Sequence, residues 1–81
     1  MLYTIESELI PEELLEDGGL RARVWRALER IGKPYAELLT IHYLEDKTVP
    51  AIARELGDSE KAVESRLHRA REAFRRELVS G

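Results

Sequence analysis

The stretch "EKAVESRLHRAR" (residues 60–71) crowds six polar side chains into nine positions: Lys61, Glu64, Ser65, Arg66, His68 and Arg69. In a helix with Val63 and Leu67 turned inward, Lys61, Glu64, Ser65, His68 and Arg69 fall on the opposite side, with Arg66 at the flank. The chain offers no nucleophile–base pair and no Gly-rich phosphate loop, so no catalytic residue is expected. What these residue types can do is hold a polyanion and read base edges. Arg69 suits guanine bidentately, or a phosphate. Lys61 and Arg66 suit phosphates, which position a protein without specifying sequence. Ser65 can bond a base edge or a phosphate, and His68 can pack on a thymine methyl or donate to a phosphate. Glu64 has two equal readings. It can accept from a cytosine amino group, or it can pair with Lys61 or His68 along its own helix. Glu60 is expected at the helix N-terminus, where the helix dipole favours an acid.

Other chemistries find little support. The two histidines, placed on separate helices with no cysteine near, make a poor metal site, and no metal or cofactor is expected. His42 reads as a packed, hydrogen-bonded side chain. The lack of cysteine excludes disulfides and fits a reducing compartment. No apolar run approaches the roughly 18–20 residues that span a bilayer. There is no basic segment followed by an apolar run at the N-terminus. The expectation is a cytoplasmic chain, nucleoid-associated, with no membrane partner.

A net charge of −3 over 81 residues by itself disfavours nucleic acid, but its distribution reverses the reading. Residues 1–19 hold six acids (Glu6, Glu8, Glu12, Glu13, Glu16, Asp17) and no Lys or Arg. Residues 20–81 hold all 13 Lys and Arg against the other 10 acids, a balance of +3. Residues 1–19 therefore read as an acidic arm or linker, broken by "DGG", ahead of a mildly basic domain at 20–81. The bland reading of the arm is a solvated linker. The sharper one has it folding back over the basic helix.

The elements that position the six side chains follow from periodicity. Leu20, Val24, Leu28 and Ile31 form the stripe of a first helix, with Trp25 beside them. Gly32 ends it and Pro34 opens a second, whose inner side is Tyr35, Leu38, Leu39, His42 and Tyr43. Trp25 and the two tyrosines are expected in the core, the tyrosines in part toward a partner surface. Residues 45–47 are a polar connector. Thr48 caps a third helix, Pro50 falls in its first turn, and Ile52, Ala53 and Leu56 face inward. Gly57 closes it in left-handed geometry, and Ser59 or Asp58 caps the fourth. Val63, Leu67, Ala70, Phe74 and Leu78 are spaced 4, 3, 4 and 4, one continuous helical face. Arg71, Arg75 and Arg76 then read as a solvated face paired with Glu72 and Glu77. With no β signal of comparable strength, the fold class is all-α: a four-helix helix-turn-helix domain without a wing.

The run "LTIHYLEDKTVPAIARELGDSEKAVESRLHRAREAFRREL" (residues 39–78) resembles region 4 of bacterial sigma-70 family sigma factors, most closely the extracytoplasmic-function type. That family's usual run is close to L-x-Y-x-E-G-x-S-x-x-E-I-A-x-x-L-G-x-S-x-G-T-V-K-S-R-L-x-R-A-R. Here Tyr43-Leu44-Glu45, Ile52-Ala53, Leu56-Gly57, Ser59, Val63, Ser65-Arg66-Leu67 and Arg69-Ala70-Arg71 match it. The preceding "VWRALERIGKPYAELLTIHY" fits the family's first two region-4 helices. The resemblance covers residues 20–78. It implies sequence-specific binding to the −35 promoter element and to the flap of the RNA polymerase β subunit, with an anti-sigma factor as a further partner, and no enzymatic activity. Lys61-Ala62 stand where the family commonly has Gly-Thr, and Glu64 where it commonly has Lys or Arg. No region-2-like segment is evident, so the chain reads as an excised domain or a small stand-alone relative. Two other readings stay open. One is a sigma-like protein-binding module acting as an anti-sigma decoy; the other is a helix-turn-helix regulator of LuxR-like type. The continuation "SRLHRAR" favours region 4 over the latter.

Overall fold

A computed structural model describes residues 18–80. It is all-helical, as the periodicity predicts, with no strand among the described residues. Helix α1 is Leu20–Ile31 and α2 is Lys33–Leu39, which runs on into a π-helical turn at Thr40–Leu44. Helix α3 is Val49–Leu56, and α4 is Glu60–Ser80, 21 residues long.

Helix α4 is the spine against which α1, α2 and α3 all pack. Val63, Leu67, Ala70, Phe74 and Leu78 are its buried residues, the face expected from their spacing. Ala27 of α1, Leu38 and Leu39 of α2, Tyr43 of the π turn, and Ile52 and Ala53 of α3 complete the core. Leu20, Val24, Leu28 and Ile31 pack around its rim, half-buried.

Two residues expected inside lie outside. Trp25 is 63% exposed. It follows Val24 in sequence, but Ala27 is the residue that α1 buries, and two helical steps put Trp25 about 200° away from it. Leu56 is 52% exposed. It is the last residue of an eight-residue helix, and the chain turns away at Gly57 before the core reaches it.

The junctions are set by local chemistry. Gly32, at φ 94° and ψ 156°, is the one non-helical residue that separates α1 from α2, and Pro34 sits in the first turn of α2. In the π turn, Thr40 Oγ1 donates back to the Ala36 carbonyl at 2.8 Å, and the Glu45 N–H reaches the Thr40 carbonyl at 3.1 Å. Such five-residue spacing is uncommon and costs helix geometry. His42 Nδ1 bonds the Lys47 carbonyl at 2.8 Å, and its ring meets Tyr43 edge-on at 4.7 Å. That is the packed, hydrogen-bonded role expected of it. Asp46 takes a left-handed conformation, φ 59°, rare for a residue with a side chain but tolerated by Asp.

Candidate nucleic-acid interface

The turn between α3 and α4 is built by caps. The Ala51 N–H donates to Thr48 Oγ1 at 3.3 Å and so satisfies one orphan donor at the start of α3. Gly57, at φ 70° and ψ 30°, ends that helix, and its N–H and that of Asp58 both return to the Ala53 carbonyl. A side chain at this φ would be strained, which is why glycine serves here. Ser59, not Asp58, caps α4: its Oγ accepts from the Ala62 N–H at 3.1 Å. Glu60 then falls in the first turn of α4, where an acid is favoured.

Asp58 has a different task. Its Oδ2 meets Arg66 Nη1 at 2.7 Å, so the turn is braced against the second turn of α4. Both side chains are about half exposed, which keeps the stabilisation of this pair modest.

Of the six polar residues singled out in the sequence, five come together. Lys61, Glu64, Ser65, His68 and Arg69 line one shallow, open depression on α4 and are all exposed. Arg66 stands apart, turned to the flank and engaged by Asp58. Behind this face lie the buried Val63, Leu67 and Ala70, so its orientation is set by the core. The intrahelical pair expected as one reading of Glu64 is not formed. Among the described residues no ion pair joins Glu64 to Lys61 or His68, and none engages Lys61 or Arg69.

Of the arginines beyond this face, Arg71 is tied into the fold. Arg71 is half-buried and donates to the Tyr43 hydroxyl at 3.3 Å, linking α4 to the π turn. It therefore leaves the solvated face on which it was expected. Arg75 pairs with Glu72 at 3.8 Å, as the spacing suggests. Glu77 reaches across to Arg30 of α1 at 3.6 Å. Sequence reasoning did not find the ion pair of Lys47 with Glu55, which ties the connector to α3. The hydrogen bond to Glu55 and that residue's charge hold the Lys47 ammonium above its ordinary pKa. No group of three or more His, Asp or Glu side chains able to hold a metal is found among the described residues.

Four helices, with α3 and α4 joined by a capped three-residue turn and α4 presenting a polar face over a buried one, define a helix-turn-helix domain. The family described as "Sigma-70, region 4" matches residues 21–74, and the chain belongs to that family. No curated protein and no solved structure matches the chain significantly. Region 4 domains are non-catalytic DNA-binding modules of transcription, and this chain shares that general role. RNA polymerase and promoter DNA are the family's partners, and its members are typically cytoplasmic.

Proposed function

We propose that the domain formed by residues 20–81 recognises the −35 promoter element by laying the N-terminal half of α4 in the major groove, and so directs RNA polymerase to start sites. The supporting observation is the grouping of Lys61, Glu64, Ser65, His68 and Arg69 on one exposed face, immediately behind a capped turn. A helix presented in this way meets the groove with its N-terminal residues. Arg69 is the guanine reader or a phosphate contact, Lys61 a phosphate contact, and Ser65 and His68 lesser contacts to base edge or backbone. Arg66 contacts a phosphate from the flank, in competition with Asp58. Glu64, which forms no ion pair with Lys61 or His68, accepts from an exocyclic amino group of a base. The polymerase β-subunit flap is the protein partner, in the cytoplasm at the nucleoid, and residues 1–19 are an arm outside the domain.

The test is a fluorescence-anisotropy titration with −35-like duplexes at several salt concentrations. Sequence preference together with a salt-dependent affinity supports the reading. Affinity that ignores both sequence and salt would end it.

One observation favours a second reading. Glu60 to Arg69 carry Lys61, Arg66 and Arg69 against Glu60 and Glu64, and Arg66 is already paired. So weak a positive face suits a module that binds an anti-sigma factor as a decoy. Recovery of an anti-sigma factor in a pull-down, with no duplex bound at low salt, would select it.

A further inference from the structure

Trp25 lies open on the side of α1 turned away from Ala27 and the core. Arg21, Ala22, Arg26 and Glu29 are exposed around it, and at 3.6 residues per turn the five share roughly 140° of arc. Among the described residues no ion pair or hydrogen bond engages Arg21, Arg26 or Glu29. Two other cations near Glu29 are committed elsewhere, Arg30 to Glu77 and Lys33 to Glu37. An indole, two guanidinium groups and one carboxylate thus share a face that the fold itself does not use.

The order of the charges along this face decides what fits it. Arg21 and Glu29 flank Trp25, one helical turn before it and one after. A helix with the same residues, run antiparallel, sets its acid against the first helix's base and its base against the first helix's acid. Helix α1 of a second copy is such a helix, and a twofold axis makes every contact occur twice. Across that axis, residues equally distant from it in sequence lie level. With the axis midway between Trp25 and Arg26, Trp25 of each copy meets Arg26 of the other, so each indole carries a guanidinium group. The same setting brings Glu29 level with Ala22 of the other copy, one residue, or about 1.5 Å of rise, from its Arg21. The small Ala22 leaves room for the carboxylate to reach that arginine. A parallel pair would instead set Arg21 on Arg21 and Glu29 on Glu29, and like charges oppose it. Glu29, which repels an acidic ligand, is what makes this face complementary to itself.

We infer that two copies of the chain associate through α1, antiparallel about a twofold axis between Trp25 and Arg26, with reciprocal Trp25–Arg26 stacks and reciprocal Arg21–Glu29 ion pairs. One helix face falls short of the roughly 800 Å² per partner of a stable complex, so the association is weak, with a dissociation constant on the order of 0.1 mM. Helix α1 is tied to α4 at Glu77 and Leu78, whereas the residues from Lys61 to Arg69 occupy the other end of α4. The paired copies therefore keep the polar face of α4 open, and the inference does not rest on DNA binding.

The experiment is sedimentation velocity of the full chain from ~10 µM to ~1 mM, a range that brackets the expected dissociation constant. The weight-average mass should climb from monomer toward dimer. Trp25 is the sole tryptophan, so acrylamide quenching of its fluorescence should fall over the same range. Arg21→Glu alone, or Glu29→Arg alone, places like charges opposite each other twice and should weaken association about tenfold, two exposed ion pairs being lost at once. The double variant Arg21→Glu, Glu29→Arg reverses both charges and should restore the wild-type constant. Trp25→Ala should leave a monomer throughout. All substituted positions are exposed, and far-UV circular dichroism checks that each variant is folded. A wild type that stays monomeric to the top of the range overturns the inference. Association that the single variants leave unchanged overturns it by placing the interface elsewhere. A double variant no better than the single ones overturns it by refuting the reciprocal pairs.

Discussion

Replacing Glu64 isolates the question that the exposed face of α4 raises. Lys61 and Arg69 are the cations on that face with no ion pair among the described residues, while Arg66 is engaged by Asp58. Two phosphate contacts give a log–log salt slope of about −1.8 at 0.9 per contact, or roughly a 12-fold loss of affinity between 50 and 200 mM salt. Glu64→Lys adds a third cation on the same face. Its slope should steepen to about −2.7, a loss of roughly 40-fold over the same range, with tighter binding to every duplex at low salt. Glu64→Ala separates the two roles of the carboxylate. If Glu64 accepts from a cytosine amino group, the alanine variant loses about 1–3 kcal/mol on the preferred duplex and little on others. Glu64→Gln should move the preference at that base pair toward adenine, which an amide matches bidentately. The assay is anisotropy against a panel of duplexes differing at one base pair, each at four salt concentrations. If Glu64→Ala instead tightens binding to all duplexes alike, the carboxylate acts only by repelling phosphates and the base contact is refuted.

Further substitutions test the frame that holds this face. Phe74→Ala, at one of the largest fully buried side chains, should cost about 3–5 kcal/mol in chemical denaturation; a smaller loss would mean that the site collapses around the gap. Ser59→Ala removes the oxygen that caps α4 and should cost about 0.5–2 kcal/mol, with Ser59→Gly costing less. Asp46→Gly should stabilise by up to about 1 kcal/mol, because glycine adopts φ 59° freely; a loss of stability would show that the Asp46 side chain contributes more than its backbone costs. For Lys47 the folded-state pKa lies above 10.5, so its contribution is fully present below that pH and is lost as pH rises through the raised value. The difference in melting temperature between wild type and Lys47→Met should therefore shrink in strongly alkaline buffer, and a constant difference would assign it to packing of the lysine stem.

What could be read in the sequence was whatever is encoded within one helical turn of itself. The buried face of α4, the caps at Thr48 and Ser59 and the reversal at Gly57 depend on residue type and spacing over three to five positions, and each was predictable. Contacts between elements were not. Nothing near Arg71 in the chain indicates that it will bond Tyr43, nor does anything near Arg66 show that Asp58 will hold it back from the exposed face. Trp25 failed for a different reason. Large apolar residues dominate any reading of periodicity, whereas the residue that α1 buries is the small Ala27. Leu56 fitted the inward period of α3, but a helix of eight residues ends before its last side chain finds a neighbour. For the candidate interface, the six residue types were evident from the sequence. Their division into five that share a depression and one that braces the turn required the packed structure.

Because α4 is a single uninterrupted helix of 21 residues, it is also a lever about 30 Å long. Its far arm, around Leu78, is gripped by α1 through Arg23 and Arg30, and its near arm carries Lys61 to Arg69. A tilt of only 5° about the gripped end would sweep the tip through roughly 2.5 Å, close to the difference between a hydrogen bond made and one lost. Val63 and Leu67, buried at the near end of the same helix, resist such a tilt, so the aim of the polar face is held by the packing of the core beneath it.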